Sequence, residues 1–195
     1  MVGWILLITL VIFLAWTVSA YNKLVGERNQ YKNAFAQIDV QLKRRHDLVP
    51  NLVEAAKAYM KHERETLEAV IAARNHAVSA NSTVDANPEN TSGLKELASA
   101  ENALSSTLGR LFALSEAYPE LKADQSMQQL HEELSSTENR IAFARQAYND
   151  GVMEFNTTRE QFPGSFIANM FSFKQAELLH ATESEEERKP VKVAF

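Results

Sequence analysis

The chain has no cysteine, and its 195 residues include only six glycines and five prolines. Without cysteine there is no disulfide framework, no thiolate zinc site and no thiol nucleophile. That absence is compatible with either side of a membrane. Turn formers are scarce, and the stretches between them are rich in Ala, Leu, Glu, Gln, Lys and Arg, which favours helices over a β sandwich. A basic excess is missing too: 20 Lys and Arg stand against 25 Asp and Glu, a net charge of −5. Nucleic-acid binders normally carry a basic face, so that partner class is set aside. No phosphate-binding Gly loop, nucleophile–base pair or pair of sugar-cleaving carboxylates stands out from ordinary helix-surface charge, and no cofactor is expected.

Charge itself is absent from Val2 to Asn22, and Val2–Ala20 (VGWILLITLVIFLAWTVSA) is almost wholly apolar. Nineteen residues at about 1.5 Å each span roughly 28 Å, close to the hydrocarbon thickness of a bilayer. Trp4, Trp16 and Tyr21 lie towards the ends, where aromatic rings prefer the headgroup level. A buried core helix is rarely this long and this free of polar residues. Val18-Ser19-Ala20 has the small-residue pattern of a signal-peptide cleavage site, but no Lys or Arg precedes the run and it exceeds a usual h-region. An uncleaved anchor, with residues 2–20 in the bilayer, is the preferred reading. Lys23, Arg28, Lys32, Lys43, Arg44 and Arg45 follow it, so the positive-inside rule puts the rest of the chain in the cytoplasm. Glu27 dilutes that bias, and large domains translocate regardless of charge, which leaves the periplasmic or extracellular side open.

Helical periodicity begins after the span. Leu24, Tyr31, Phe35, Ile38 and Leu42 form a stripe spaced by threes and fours, expected to end before Pro50. No proline interrupts residues 4–47, so the membrane helix is expected to run on as the first helix of a bundle. A second stripe is Leu52, Ala56, Tyr59, Leu67, Val70 and Val78, stopping in the Asn- and Ser-rich residues 80–90. Leu94, Leu97, Leu104, Leu108 and Leu111 make a third, closed near Tyr118-Pro119. The fourth is Met127, Leu130, Leu134, Thr137, Ile141, Ala144, Tyr148, Val152, Phe155 and Phe162, a near-heptad repeat that calls for coiled-coil-like packing. Gly151 within it marks the close approach of a neighbour. The expectation is all-α: an N-terminal transmembrane helix (1–22) continuing into an antiparallel up-down four-helix bundle (23–173), then a flexible charged tail (174–195).

Two strings are more specific than any period. Tyr21-Asn22-x-Leu24-Val25 followed by Asn33-Ala-Phe-Ala-Gln-Ile-Asp-Val-Gln-Leu-Lys-Arg-Arg-His-Asp-Leu-Val-Pro-Asn-Leu-Val-Glu54 is one. Thr137-Glu-Asn-Arg-Ile-Ala-Phe-Ala-Arg-Gln-Ala-Tyr-Asn-Asp150, with Phe162-Pro163 beyond it, is the other. Together they resemble the LemA family of bacterial membrane proteins, from about the span to Phe173. The resemblance implies an N-terminal anchor in a bacterial cytoplasmic membrane and an antiparallel four-helix bundle. It supplies no activity. The association of some LemA-like members with bacterial membrane compartments hints at scaffolding. Some relatives look like exported lipoproteins, but the lipobox cysteine is lacking here.

Candidate chemistry is thin. His131-Glu132-Glu133-Leu134-Ser135 begins like HExxH, but Ser135 stands where the second histidine is needed. Glu177-x-x-His180 has the spacing of one di-iron half-site, whereas that chemistry needs two and further carboxylates. A metal or substrate site built from His62, Glu63, Glu101 and Glu138 is the alternative, an enzymatic or metal-binding bundle. The preferred reading is non-catalytic: a membrane-anchored structural or interaction protein that self-assembles, with Ala15-x-x-x-Ser19 as a small-residue pair for lateral contact and other membrane proteins as further partners. Two segments are candidate contact surfaces. Lys43, Arg44, Arg45 and His46 form either an ion-pair cluster at a helix end or a basic patch for an acidic partner. Phe162, Phe166, Ile167, Met170 and Phe171 either pack across the bundle end or expose an apolar patch to another protomer or partner.

Overall fold

The computed structural model describes residues 1–86 and 90–179, and every regular element among them is a helix. Asn87, Pro88 and Glu89 of the expected loop, and His180 with the rest of the expected tail, lie outside the described residues. The elements are α1 (Val2–Lys57), α2 (Arg64–Ala86), α3 (Thr91–Ser115), α4 (Pro119–Ala123), α5 (Gln125–Glu160) and α6 (Gly164–Met170). They form two compact units. One comprises residues 1–37 and 144–178, the other residues 38–143 with Leu179.

In the first unit α1 begins bare. Residues 2–16 are all exposed, and no part of an 18-residue window of high hydropathy is buried in the chain. The hydroxyls in this stretch are satisfied locally: Thr9 donates to the carbonyls of Ile5 and Leu6, and Thr17 to that of Phe13. A lipid-facing helix needs that, because hydrocarbon offers polar groups no partner. Burial starts at Leu24 and continues through Tyr31 and Phe35, which pack against Tyr148, Val152 and Phe155 of an antiparallel α5. Gly151 lies at a close approach there, since an added Cβ would come to 3.2 Å of the Tyr31 Cβ, tighter than ordinary contact.

The second unit holds four long helical segments, with the inward leucines of α3 and the Met127, Leu134 and Ile141 stripe of α5 buried as expected. Side-chain contacts pair α1 with α2 (Asp39–Asn81), α2 with α3 (His76–Glu96) and α3 with α5 (Phe112–His131) in alternating direction, an up-down bundle. Asn90 caps α3, its side chain accepting from the Gly93 N–H.

Three boundaries depart from the periodic reading. α1 does not stop before Pro50 but runs through it to Lys57. Proline lacks the N–H that would bond the carbonyl four residues back, and here Arg74 Nε of α2 donates to that His46 carbonyl at 3.0 Å instead. The break between the first two helices falls at residues 58–63, where there is neither Gly nor Pro. Tyr59 donates to Asp124 and Tyr118 donates to Glu63, each at 3.0 Å, so partners distant in sequence hold the corner. α2 ends at Ala86, inside the residues 80–90 where its stop was expected, with Asn81 buried against Asp39 and Val84 buried in the core. Phe162, read as the last residue of the fourth stripe, is 88% exposed because α5 ends at Glu160. Beyond α6 the chain is not all tail: residues 173–179 return along α5.

Arg74→Met should destabilise the chain by about 1–2 kcal/mol, the cost of orphaning a carbonyl that has a charged donor. In a Pro50→Ala background, which restores the N–H at position 50, the same substitution should cost less. Denaturant titration of the four proteins checks this; equal costs in both backgrounds would dissociate Arg74 from the proline.

Candidate functional site

Lys43 to His46 divide between two environments. Leu42, Arg45, His46 and Val49 fall on the inward stripe of α1 and are buried, whereas Lys43 and Arg44 face outward with side chains 56% and 57% exposed. Lys43 meets Asp39 one turn back at 2.6 Å, and Arg44 reaches Glu133 at 3.4 Å. The segment lies mid-helix, so the pull of a helix C-terminus has no part in holding it. The signal for the division was in the spacing: 42, 45, 46 and 49 repeat the three-and-four rhythm of a core face.

Arg45, with its side chain 4% exposed, is a buried cation of the second unit. Nη1 donates to Glu101 Oε2 at 3.3 Å, and Nη2 donates to Ser105 Oγ at 2.7 Å and lies 3.7 Å from Glu138 Oε1. Ser105 passes the interaction on, donating to Glu138 at 3.3 Å. The other Glu101 oxygen accepts from His46 Nε2 at 2.7 Å, an assignment that follows from the carboxylate having no proton to give. Each charged group is therefore matched by another from the same network. Glu101 and Glu138 join here, while Glu63 accepts from Tyr118 at the α1–α2 corner and His62 is exposed beside it. The four residues weighed as a metal set thus serve two different places. No group of three or more His, Asp or Glu among the described residues is placed to hold a metal ion.

Asp124 anchors the same corner. Its Oδ1 accepts from the Met127 N–H, capping α5, and its Oδ2 accepts from Tyr59. These bonds hold its carboxyl below the ordinary 3.8, the Met127 N–H contributing most, and they push the Tyr59 hydroxyl up. An open groove of about 860 Å³ runs between the end of α1 and α2, floored by Val53, Met60, Leu67 and Ile71.

In the first unit α6 turns two residues inward and leaves the others bare. Ile167 and Ala168 are buried; Phe162, Phe166, Met170 and Phe171 are 88%, 54%, 58% and 48% exposed. Pro163 and Gly164 make the corner from α5, and a Cβ at Gly164 would strike the Thr158 carbonyl. Phe171 and Phe173 stack on Tyr21, at ring distances of 4.8 and 5.7 Å, and the Arg28 guanidinium lies 5.2 Å over Phe173. These residues belong to the first unit and the Lys43–His46 segment to the second.

An all-helical bundle and a bare apolar N-terminal helix, the one candidate span among the described residues, define a membrane-associated protein. Its sequence matches the LemA family model over residues 34–195, and the chain belongs to the LemA family. The match continues past Phe173, where the resemblance was expected to stop. The chain is similar to magnetosome protein MamQ 2 of Paramagnetospirillum magneticum, 24% identical over 185 residues, covering 87% of this chain and 68% of that protein. Magnetosome protein MamQ of Magnetospirillum gryphiswaldense is 22% identical over 188 residues (89% and 69%). Protein LemA of Metamycoplasma hominis is 26% identical over 179 residues (92% and 77%).

Removing one partner from a buried ion pair strands the other, at a cost of about 3–5 kcal/mol. Glu101→Ala should lose stability on that scale, and Arg45→Met combined with Glu101→Leu should lose less than Glu101→Ala alone, as read by denaturant midpoints. Asp124 gives a pH signature. A depressed carboxyl stabilises the fold above its unfolded value, and that contribution disappears as pH falls through its folded value. Between pH 5 and 3, wild type should therefore lose more stability than Asp124→Asn, which keeps the cap but cannot titrate; parallel thermal midpoints across that range would contradict it.

Proposed function

We propose that this chain is a non-catalytic, single-pass membrane protein of a bacterial cytoplasmic membrane that assembles side by side with copies of itself and presents its bundle, on the cytoplasmic face, to other membrane proteins. One observation carries the reading. The apolar side chains of residues 2–14 are 52% exposed or more, and nothing among the described residues covers them. They call for lipid or for neighbouring spans, and Ala15 and Ser19 supply a small-residue pair for the latter. Val40 and Phe143 add apolar surface, at 55% and 73% exposed. The antiparallel Arg45–Glu138 pairing brings them to the same level of the second unit, where a lateral contact would cover them. The outward Lys43 and Arg44, paired with Asp39 and Glu133, are basic groups at the surface that an acidic partner could reach. The buried Arg45 and His46 are both paired with the partly buried Glu101, which suits a role in specifying helix register. The names of the similar proteins, magnetosome protein and protein LemA, attach no reaction to them.

Detergent-solubilised full-length protein should scatter light as a particle well above one chain in mass, and cross-linking in native membranes should return peptides joined between copies. A clean monomer in both would defeat self-assembly. Stoichiometric metal in the purified protein, lost on Glu101→Ala or Glu138→Ala, would shift the reading to a carboxylate and histidine metal-binding bundle.

A further inference from the structure

We propose that α6 is a lipid-interface foot: Phe162, Phe166, Met170 and Phe171 sit in the headgroup–acyl boundary of the bilayer that the N-terminal helix crosses. The inference rests on that helix being in a membrane and adds a second, peripheral contact to it.

The geometry of the first unit places α6 at the required level. α5 runs antiparallel to α1, with Tyr31 against Gly151 and Glu27 accepting from Thr158 at 2.9 Å. α5 therefore ends close to the point where α1 leaves its protein partners. The chain then makes α6 and turns back along α5: Arg159 donates to the Phe173 carbonyl, Asn156 pairs with the backbone of Ala176, and Tyr148 donates to the Glu177 carbonyl. α6 is thus the outer end of this unit, on the side from which the bare apolar helix emerges. Tyr21 fixes the height, because its ring packs on Phe171 and Phe173 and the next residue towards the N-terminus, Ala20, closes the uncharged apolar run. Seven residues of helix extend only about 10 Å, so the exposed side chains stay within the boundary region.

The chemistry fits the same occupant. Aromatic and Met side chains that would be an unexplained apolar patch in water are the residues an interface accommodates. Ile167 and Ala168 anchor the other face of α6 to the protein. Lys23, 64% exposed, and Lys174, also exposed, flank Tyr21 and Phe173 and supply positive charge at headgroup level. Glu160 is the exposed acid nearby in sequence, and Glu27 is buried.

The natural absence of cysteine permits a direct test. Single cysteines are placed in the full-length chain at Phe166→Cys, Met170→Cys, Leu10→Cys and Glu65→Cys. Each is labelled with an environment-sensitive fluorophore and reconstituted in nanodiscs of phosphatidylcholine and phosphatidylglycerol, with and without lipid spin-labelled near the headgroup. Labels at 166 and 170 should emit to the blue of the label at 65 and lose about half their intensity or more to the shallow spin label. A solvent-like, unquenched signal at 166 and 170, with the label at 10 shielded in the bilayer, overturns the foot and leaves the anchor standing. A blue-shifted but unquenched signal that yields cross-links between copies assigns the patch to a second protomer and also overturns it. A label at 10 exposed to water would remove the anchor and the foot together.

Discussion

α1 has to satisfy two solvents with one uninterrupted helix. Over its first residues the side chains are uncharged, almost all apolar and uncovered, and the two threonine hydroxyls turn back onto their own backbone. From Leu24 onward the same helix buries a stripe spaced by threes and fours and leaves Asn29, Gln30, Asn33, Lys43 and Arg44 outside. The change occurs without a proline or an irregular turn, so it is written in side chains alone. Each unit takes part of this helix and part of α5, and each resolves the demand differently: the first with aromatic rings, the second with leucines and a matched charge network.

The charged network is costly if the helices pair wrongly. An Arg45 guanidinium displaced by a turn would lose Glu101, Ser105 and Glu138 together, and desolvation of a lone cation far exceeds the gain from any single contact. Leucine stripes tolerate sliding more readily, because one methyl group resembles another. Arg45 and His46 therefore give register to a bundle whose remaining core is mostly interchangeable hydrocarbon. Asp39 and Asn81 do the same between α1 and α2, where a 2.7 Å bond joins two buried polar side chains.

What was legible in the sequence follows from this division. Periodicity located the four long helices and the larger part of their inward faces, because burial repeats with the helix and needs no knowledge of partners; Val49, Val53, Met60, Ala77 and Val84 are buried outside the stripes it named. The corners resisted. Pro50 reads as a stop only until Arg74, 24 positions along, is known to serve the carbonyl it leaves bare. Residues 58–63 carry no turn former, and the tyrosines that hold the corner find partners on segments 55 and 65 residues away. The basic cluster was visible as a cluster, but its two halves separate by helical phase. Glu101 stood out only as a member of a possible metal or substrate set, while its pairing with both Arg45 and His46 depends on how α1 and α3 meet. The α6 segment was recognisable by its aromatics; a seven-residue helix is too short for period to say which of them face out.

The position of α6 is set by groups that are not on it. Tyr148 is buried among Tyr31 and Phe35, and burial pushes its hydroxyl well above the usual range, so the O–H stays protonated and needs an acceptor. The Glu177 carbonyl provides one at 2.9 Å. Asn156 uses both ends of its amide on Ala176, donating to its carbonyl and accepting from its N–H, as a neighbouring strand would. Those bonds tie the returning segment to α5 over two turns. With α5 ending at Glu160 and Arg159 holding the Phe173 carbonyl, the intervening residues have only enough chain for a corner, two helical turns and a reversal. Gly164 makes the corner possible where any side chain would meet the Thr158 carbonyl. A buried tyrosine and an asparagine on α5 thereby determine where four exposed apolar side chains stand, next to the residue at which α1 becomes bare.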